Sequence, residues 1–431
     1  MQLEYIYKML LDILTTPSLA LAVIAAVGLI VLKKRAAEVF TGFMKVFIAV
    51  IMVGSAAGVI VVALLPMNSL FELAFGFRGI YALGEIYTAA AMPILGFEIS
   101  AILGLGFLIH LVIVRFVPKG SFKQVFLTGH VMWTEAGLTA IVLNNYGFRG
   151  TDAILLGGLI QGIYLTVSNA LTWWCMKPTT DGRFGLGHII SIPTAASAIV
   201  AKYLGNPKND AEKVKFPESL SFLRLPSVVA ALIMASVFII LSVGAGSSVV
   251  EARFSGGVNF IAWSLITGVT FGAGVELILA GVRMFIGEIL PAFKGISEKV
   301  IPGAIPALDM PAMFSLAPTA LMVGVAIHVP LLVGFSLLQV VLGFPTIMLP
   351  NAIVAFFDGA VVGIVGNKLG GLRGIVLGSV VNCLYYSFMG VFGTPFMGLE
   401  KLGFAGMGAL ADDATWAVII AGICTLLGRR P

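Results

Sequence analysis

The sequence has 431 residues, 59% hydrophobic and only 11% charged, with a mean hydropathy of +1.05. A soluble domain carries roughly 25% charged residues, so this balance excludes an ordinary globular enzyme and places the chain in lipid. The basic residues behind the net charge of +5 sit in turns between apolar runs, which argues against nucleic-acid binding.

Apolar runs near span length recur along the chain, each able to cross hydrocarbon as a helix. Residues 16–32 and 39–65 read as the first two spans. Residues 66–91 carry Glu72, Arg78 and Glu85 among apolar neighbours, a pattern that fits either a surface helix or a partly inserted half-helix. Spans at 93–117, 125–143 and 153–176 follow, with a glycine-marked turn at 144–151. The polar stretch 202–224 is too short to bury a core of its own. Further spans lie at 260–279, 320–344, 346–365, 375–392 and 416–427.

Two stretches break this pattern. Residues 184–200 contain Gly185, Gly187, His188 and Pro193, and residues 301–319 contain Pro302, Gly303, Pro306, Asp309, Pro311 and Pro318. Paired interrupted segments in the two halves of a membrane chain point to a midplane binding site and an inverted repeat. The alternative is a pair of Pro/Gly-rich interfacial loops. The expected fold is therefore all-α and polytopic, with ten or eleven transmembrane helices, two re-entrant hairpin segments and an inverted repeat. Residues 1–431 are expected to form a single integral membrane domain. Basic turns at Lys33-Lys34-Arg35, Arg115 to Lys123, Lys177 to Arg183, Lys202 to Arg224, Lys294 to Lys299 and Arg429-Arg430 put the N-terminus outside and the C-terminus in the cytoplasm. No basic n-region precedes the first apolar run, as a cleavable signal would require.

Ionisable residues inside apolar runs carry the functional signal, because a charge at membrane depth costs at least about 2.5 kcal/mol and faces a protein-lined cavity. Glu98 and His110, His130 and Glu135, and Glu276 are such residues, and the run 346–365 has Asp358 inside it. His130 and Thr134 stand one helical turn apart and offer a ring nitrogen and a hydroxyl on one face. Glu135 is either a partner buried between helices or a ligand contact. Asp309, between two prolines, either caps the next turn or touches ligand, and both roles can coexist. Glu276 and Arg283, seven apart, lie too far along their helix for a direct pair without bending. Cys175, Cys383 and Cys424 share no CxxC spacing, and no GxxxxGKS/T, HExxH or GxSxG motif occurs. The chain is thus expected to hold no metal or cofactor and no catalytic site of its own.

Read in order, these residues resemble the ascorbate-type membrane permease, the IIC component of the phosphotransferase system. The resemblance is carried by Leu127-Thr-Gly-His-Val-Met-Trp-Thr-Glu-Ala-Gly-Leu138, by Lys177-Pro-Thr with Asp181-Gly and Gly187-His188, and by Gly281-Val-Arg-Met-Phe285. Ala292-Phe-Lys-Gly-Ile-Ser297, Ile301-Pro-Gly-Ala304, Asp309, Phe314-Ser-Leu-Ala-Pro318 and Asn367-Lys-Leu-Gly-Gly-Leu-Arg373 continue it, so that it covers nearly the whole chain. It implies a homodimeric permease in the cell membrane that moves a small sugar-like substrate inward. In the family the substrate is phosphorylated on arrival by a IIB protein; IIB and IIA are expected here on separate chains. The resemblance places substrate-binding residues at His130, His188 and Asp309, and maps a Thr-Tyr pair near Glu85 and Tyr87. Two positions depart from ascorbate permeases, where Thr134 and Ile189 stand in place of glutamines. Loss of both amides implies a changed ligand preference. The alternative is an ion-coupled secondary transporter of a sugar-like solute on the same fold.

Overall fold

The computed structural model describes residues 16–76, 79–82, 84–117, 120–214, 225–299, 301–404 and 406–431. Twelve α-helices dominate them. These are α1 (Pro17–Val31), α2 (Ala36–Phe75), α3 (Gly84–Phe116), α4 (Gly129–Asn145), α5 (Gly150–Thr179), α6 (Ser191–Leu204), α7 (Pro226–Ala245), α8 (Ser247–Arg253), α9 (Phe260–Lys299), α10 (Pro318–Val341), α11 (Ala352–Gly393) and α12 (Ala411–Leu426). Six described helices are long and apolar enough to cross a membrane, or seven if the bent α7–α8 pair counts as one. This is fewer than the ten or eleven expected, because α1, α4 and α12 are only 15 to 17 residues long and one pair of expected spans runs together. The spans at 346–365 and 375–392 are two arms of α11, which turns at Gly371 with a positive φ of 59°. The arms pack so closely that a side chain at Gly366 would meet the carbonyl of Gly374. Conversely, α7 is an apolar helix additional to the ten spans read from the sequence.

The helices sort into two groups by packing. In one, α9 lies against α1, α2 and α7; in the other, α11 lies against α6, α10 and α12, and α3 lies against α4 and α5. A polar clasp holds the turn of α11. Asn367 donates to Asp210 Oδ1 (2.7 Å) and accepts from the backbone of Ala211 (2.8 Å). That side-chain bond, ahead of the backbone N–H of Glu212, holds the Asp210 carboxyl below its ordinary range. The clasp is therefore complete at neutral pH and is lost only as pH falls through the lowered value.

Five short strands interrupt the helices. β2 (Gln124–Phe126), β4 (Ile305–Leu308) and β3 (Gly185–Leu186) form a parallel sheet in that order, with Phe126 and Gly185 both opposite Ala307. β1 (Tyr81–Ala82) pairs in parallel with β5 (Met407–Gly408), and Ile80 bridges to Met348 alongside them. Both interrupted segments of the sequence thus begin with a strand before the helix that follows. Proline and glycine stop helices there, and parallel pairing satisfies the backbone groups that lipid cannot.

Candidate functional site

Parallel strands put all their C-terminal ends on one side, and three such ends meet here. β2 runs through Leu127 and Thr128 to His130 at the first turn of α4. β3 runs through Gly187 to His188, and β4 ends directly at Asp309. The pairing extends past the strands, with Leu127 N–H on Ala307 O (3.0 Å) and Gly187 N–H on Leu308 O (2.8 Å). One ladder therefore fixes the register of two imidazoles and a carboxylate drawn from three distant stretches of sequence.

His130 Nε2 stands 3.8 Å from Asp309 Oδ2, and His188 Nε2 stands 3.7 Å from Asp309 Oδ1. The two rings meet edge to face with centroids 6.0 Å apart. Donor atoms of all three residues fall within 4.8 Å of one another, so one small ligand or cation could touch the whole set. The His130 side chain is 44% exposed and that of His188 only 11%, which makes His130 the outer and His188 the inner wall. Asp309 also accepts the backbone N–H of Met310 (2.7 Å), so the capping role coexists with the site position.

These side chains open onto a cavity of about 540 Å³. Its floor comes from the second helix group, through His130, His188, Ile189, Asp309 and Asp358. The opposite wall comes from the first group, through Leu21 of α1, Val50, Val53 and Gly54 of α2, and Ile278 and Phe285 of α9. The site thus lies in the seam between the groups.

The remaining candidates fall outside the cavity lining. Thr134 turns the other way: its hydroxyl donates to His130 O (3.1 Å), and its methyl fills the space a Gly84 side chain would need. The expectation that His130 and Thr134 share one target is corrected, because Thr134 packs against α3. Tyr87 is buried and donates to Asp413 Oδ2 (2.5 Å). Glu135 is fully buried among Asp412, Asp413 and Tyr164. The Glu85 side chain lies outside the described residues.

Other membrane-depth ionisable groups serve the frame. His110 Nε2 accepts the backbone N–H of Phe126 (3.0 Å), so its proton is on Nδ1, facing Thr166 Oγ1 (2.8 Å). It anchors the end of β2 and thereby His130. Glu98 accepts the N–H of Gly150 at the start of α5 (3.3 Å). Arg283 does reach Glu276, at 3.7 Å, against the expectation that two turns separate them too far; its long side chain reaches back along the helix.

Asp358 is a site residue the sequence reading left without a role. It lines the cavity, is 3% exposed, and its Oδ2 has no hydrogen-bond partner. The available signal was its lone carboxylate in the run 346–365.

Gly187 illustrates how tight the ladder is. A side chain there would come within 2.8 Å of the Ala307 carbonyl, a backbone group that cannot swing aside. Gly187→Ala is expected to part β3 from β4, drawing His188 from Asp309. Ligand binding should fall at least tenfold with a stability loss of about 1–3 kcal/mol, read by thermal unfolding with and without ligand.

A helical membrane protein with a polar pocket between two packed helix groups is of the transporter class. The comparisons with known proteins make this specific. The family described as the sugar-specific permease component of the phosphotransferase system (PTS) matches residues 12–415, and the chain belongs to that family. It is similar to the ascorbate-specific PTS system EIIC component of Mycoplasma pneumoniae, 24% identical over 428 residues. That match covers 85% of this chain and 63% of the relative, so the chain spans just under two thirds of the relative's length.

Proposed function

We propose that this chain moves ascorbate or a related small sugar acid or polyol inward, with phosphorylation by a separate IIB partner that IIA recharges. The observation that carries this reading is the His130–His188–Asp309 set at a cavity between two helix groups. Two imidazoles and a carboxylate supply donors and acceptors to a ring of hydroxyls. Asp309 accepts from a substrate hydroxyl, the imidazoles contact its neighbours, and Asp358 offers a further acceptor. Thr134, Tyr87 and Glu135 act from behind this wall, and Glu85 is assigned near the same helix start. Movement of one helix group against the other, within a homodimer, exposes the seam to each side of the cell membrane in turn. The two parallel strand sets, each with three chain segments, favour an inverted repeat. The N-terminus is assigned outside and the C-terminus to the cytoplasm.

Uptake into vesicles, with and without phosphorylated IIB, tests the coupling. Appearance of phosphorylated sugar only when IIB is present supports it; accumulation of unmodified sugar without IIB rejects it in favour of an ion-coupled carrier.

Ile189 is the specificity position of this reading, because it lines the cavity beside His188. Ile189→Gln is expected to tighten ascorbate binding about tenfold, the contribution of roughly one hydrogen bond, in a thermal-shift or calorimetric titration. Thr134→Gln is expected to give no such gain, because its larger side chain would have to displace α3 at Gly84.

A further inference from the structure

We propose that Glu135 and Asp413 bind one proton between them, making a protonation site behind the sugar pocket. The inference goes beyond the transport reading and holds whichever sugar is carried.

Three acids meet where α4 and α12 pack. Glu135, Asp412 and Asp413 are 0%, 1% and 0% exposed. The Glu135 carboxyl faces that of Asp413, with Asp412 and the Tyr164 hydroxyl beside it. The donors are unevenly shared. Asp412 receives the backbone N–H groups of Ser191 and Ile192, each at 2.8 Å, and the single hydroxyl proton of Tyr164 at 3.2 Å. Tyr87 gives its proton to Asp413. Both Glu135 oxygens are buried without a well-formed hydrogen bond among the described residues, the neighbouring Tyr164 hydroxyl being directed at Asp412. No Lys, Arg or His among the described residues forms an ion pair with Glu135.

Two ionised carboxylates cannot face each other at this depth without something positive between them. One proton turns the repulsion into an O–H···O bond, and the pair then titrates as a unit. Among the described residues, the groups facing it include Asp412 and Asp413 from α12, Tyr164 from α5 and, through Asp413, Tyr87 from α3. The Glu85 side chain of α3 is outside the described residues.

The pair is wired to the pocket. Asp412 caps the first turn of α6, and its own backbone N–H is bonded to Ile189 O (2.9 Å), next to His188. Loss of that proton would set a second negative charge against the residue that seats Ile189 and His188, so the state of the acid pair is coupled to pocket geometry and stability.

The experiment uses the full chain in lipid nanodiscs, comparing wild type with Glu135→Gln, Asp413→Asn and the control Glu98→Gln. Infrared spectra at neutral pH should contain a protonated-carboxyl carbonyl band that shifts in D₂O, persists in E98Q and disappears in E135Q. The thermal midpoint of wild type should fall as pH is raised, whereas that of E135Q should stay level, because a glutamine amide replaces the shared proton permanently. Should E135Q fail to fold, the same two readouts on D413N decide. A band unchanged in both variants, or an E135Q midpoint that tracks wild type, overturns the proposal. So does a midpoint that responds to Na⁺ or K⁺ at fixed pH, which would make the ligand a metal cation.

Discussion

Asp309→Asn is expected to weaken sugar-acid binding about a hundredfold, or about 2.7 kcal/mol, while leaving the fold intact. The two consequences separate because the carboxylate has two tasks. An asparagine oxygen can still accept the Met310 N–H, as Asp309 Oδ1 does at 2.7 Å, so the turn after β4 keeps its cap. The amide nitrogen, however, then takes the Oδ2 position and puts a donor where an acceptor faced His130 at 3.8 Å. A ligand hydroxyl loses its charged acceptor, and an imidazole N–H that was oriented by the carboxylate loses its partner. Calorimetric titration with the sugar acid selected by a thermal-shift screen reads the affinity, and unfolding without ligand reads the fold. Undiminished affinity in a well-folded Asp309→Asn protein would remove Asp309 from the binding set.

The largest expected effect on stability comes from Asp412→Ala. The change strips acceptors from two backbone N–H groups at the start of α6, that of Ser191 buried and that of Ile192 partly buried, and from the buried Tyr164 hydroxyl. Each buried donor left without a partner costs about 1–3 kcal/mol, so a total loss of about 3 kcal/mol is expected after partial relaxation. Asp412→Asn should recover part of this, because its oxygen can still serve one or two of the donors. Since α6 begins three residues after His188, the alanine variant should also bind ligand more weakly at temperatures where it remains folded. Thermal unfolding of the three proteins in one lipid composition checks the ranking. Equal midpoints would mean that water replaces the carboxylate and that the cap carries little.

Much of this molecule is readable from local pattern. Apolar runs of span length mark most long helices, and most lone charged residues inside them mark positions that face protein, Glu276 being an exposed exception. Glycine and proline flagged the segments at 184–200 and 301–319, but they could not tell a strand from a half-helix. Three-residue strands have no periodicity of their own, and only the partner across the ladder defines them. The facing of Thr134 was likewise beyond helical spacing. One turn from His130 is near enough to share a ligand, yet Gly84 leaves a hollow on α3 that the threonine methyl fills.

By itself, the sequence determined that the chain is built to span a membrane and which family's motifs it carries, and it singled out His130, His188 and Asp309 as candidates. Tertiary structure alone decided that those three meet. It also set Ile189 and Asp358 on the cavity wall, turned Thr134 away, and gathered Glu135 with Asp412 and Asp413. The reason is range. Hydrophobic period and helix breakers act over a few residues and are written where they act. Parallel pairing and acid clustering instead join segments hundreds of residues apart, whose juxtaposition exists only once the helices have packed.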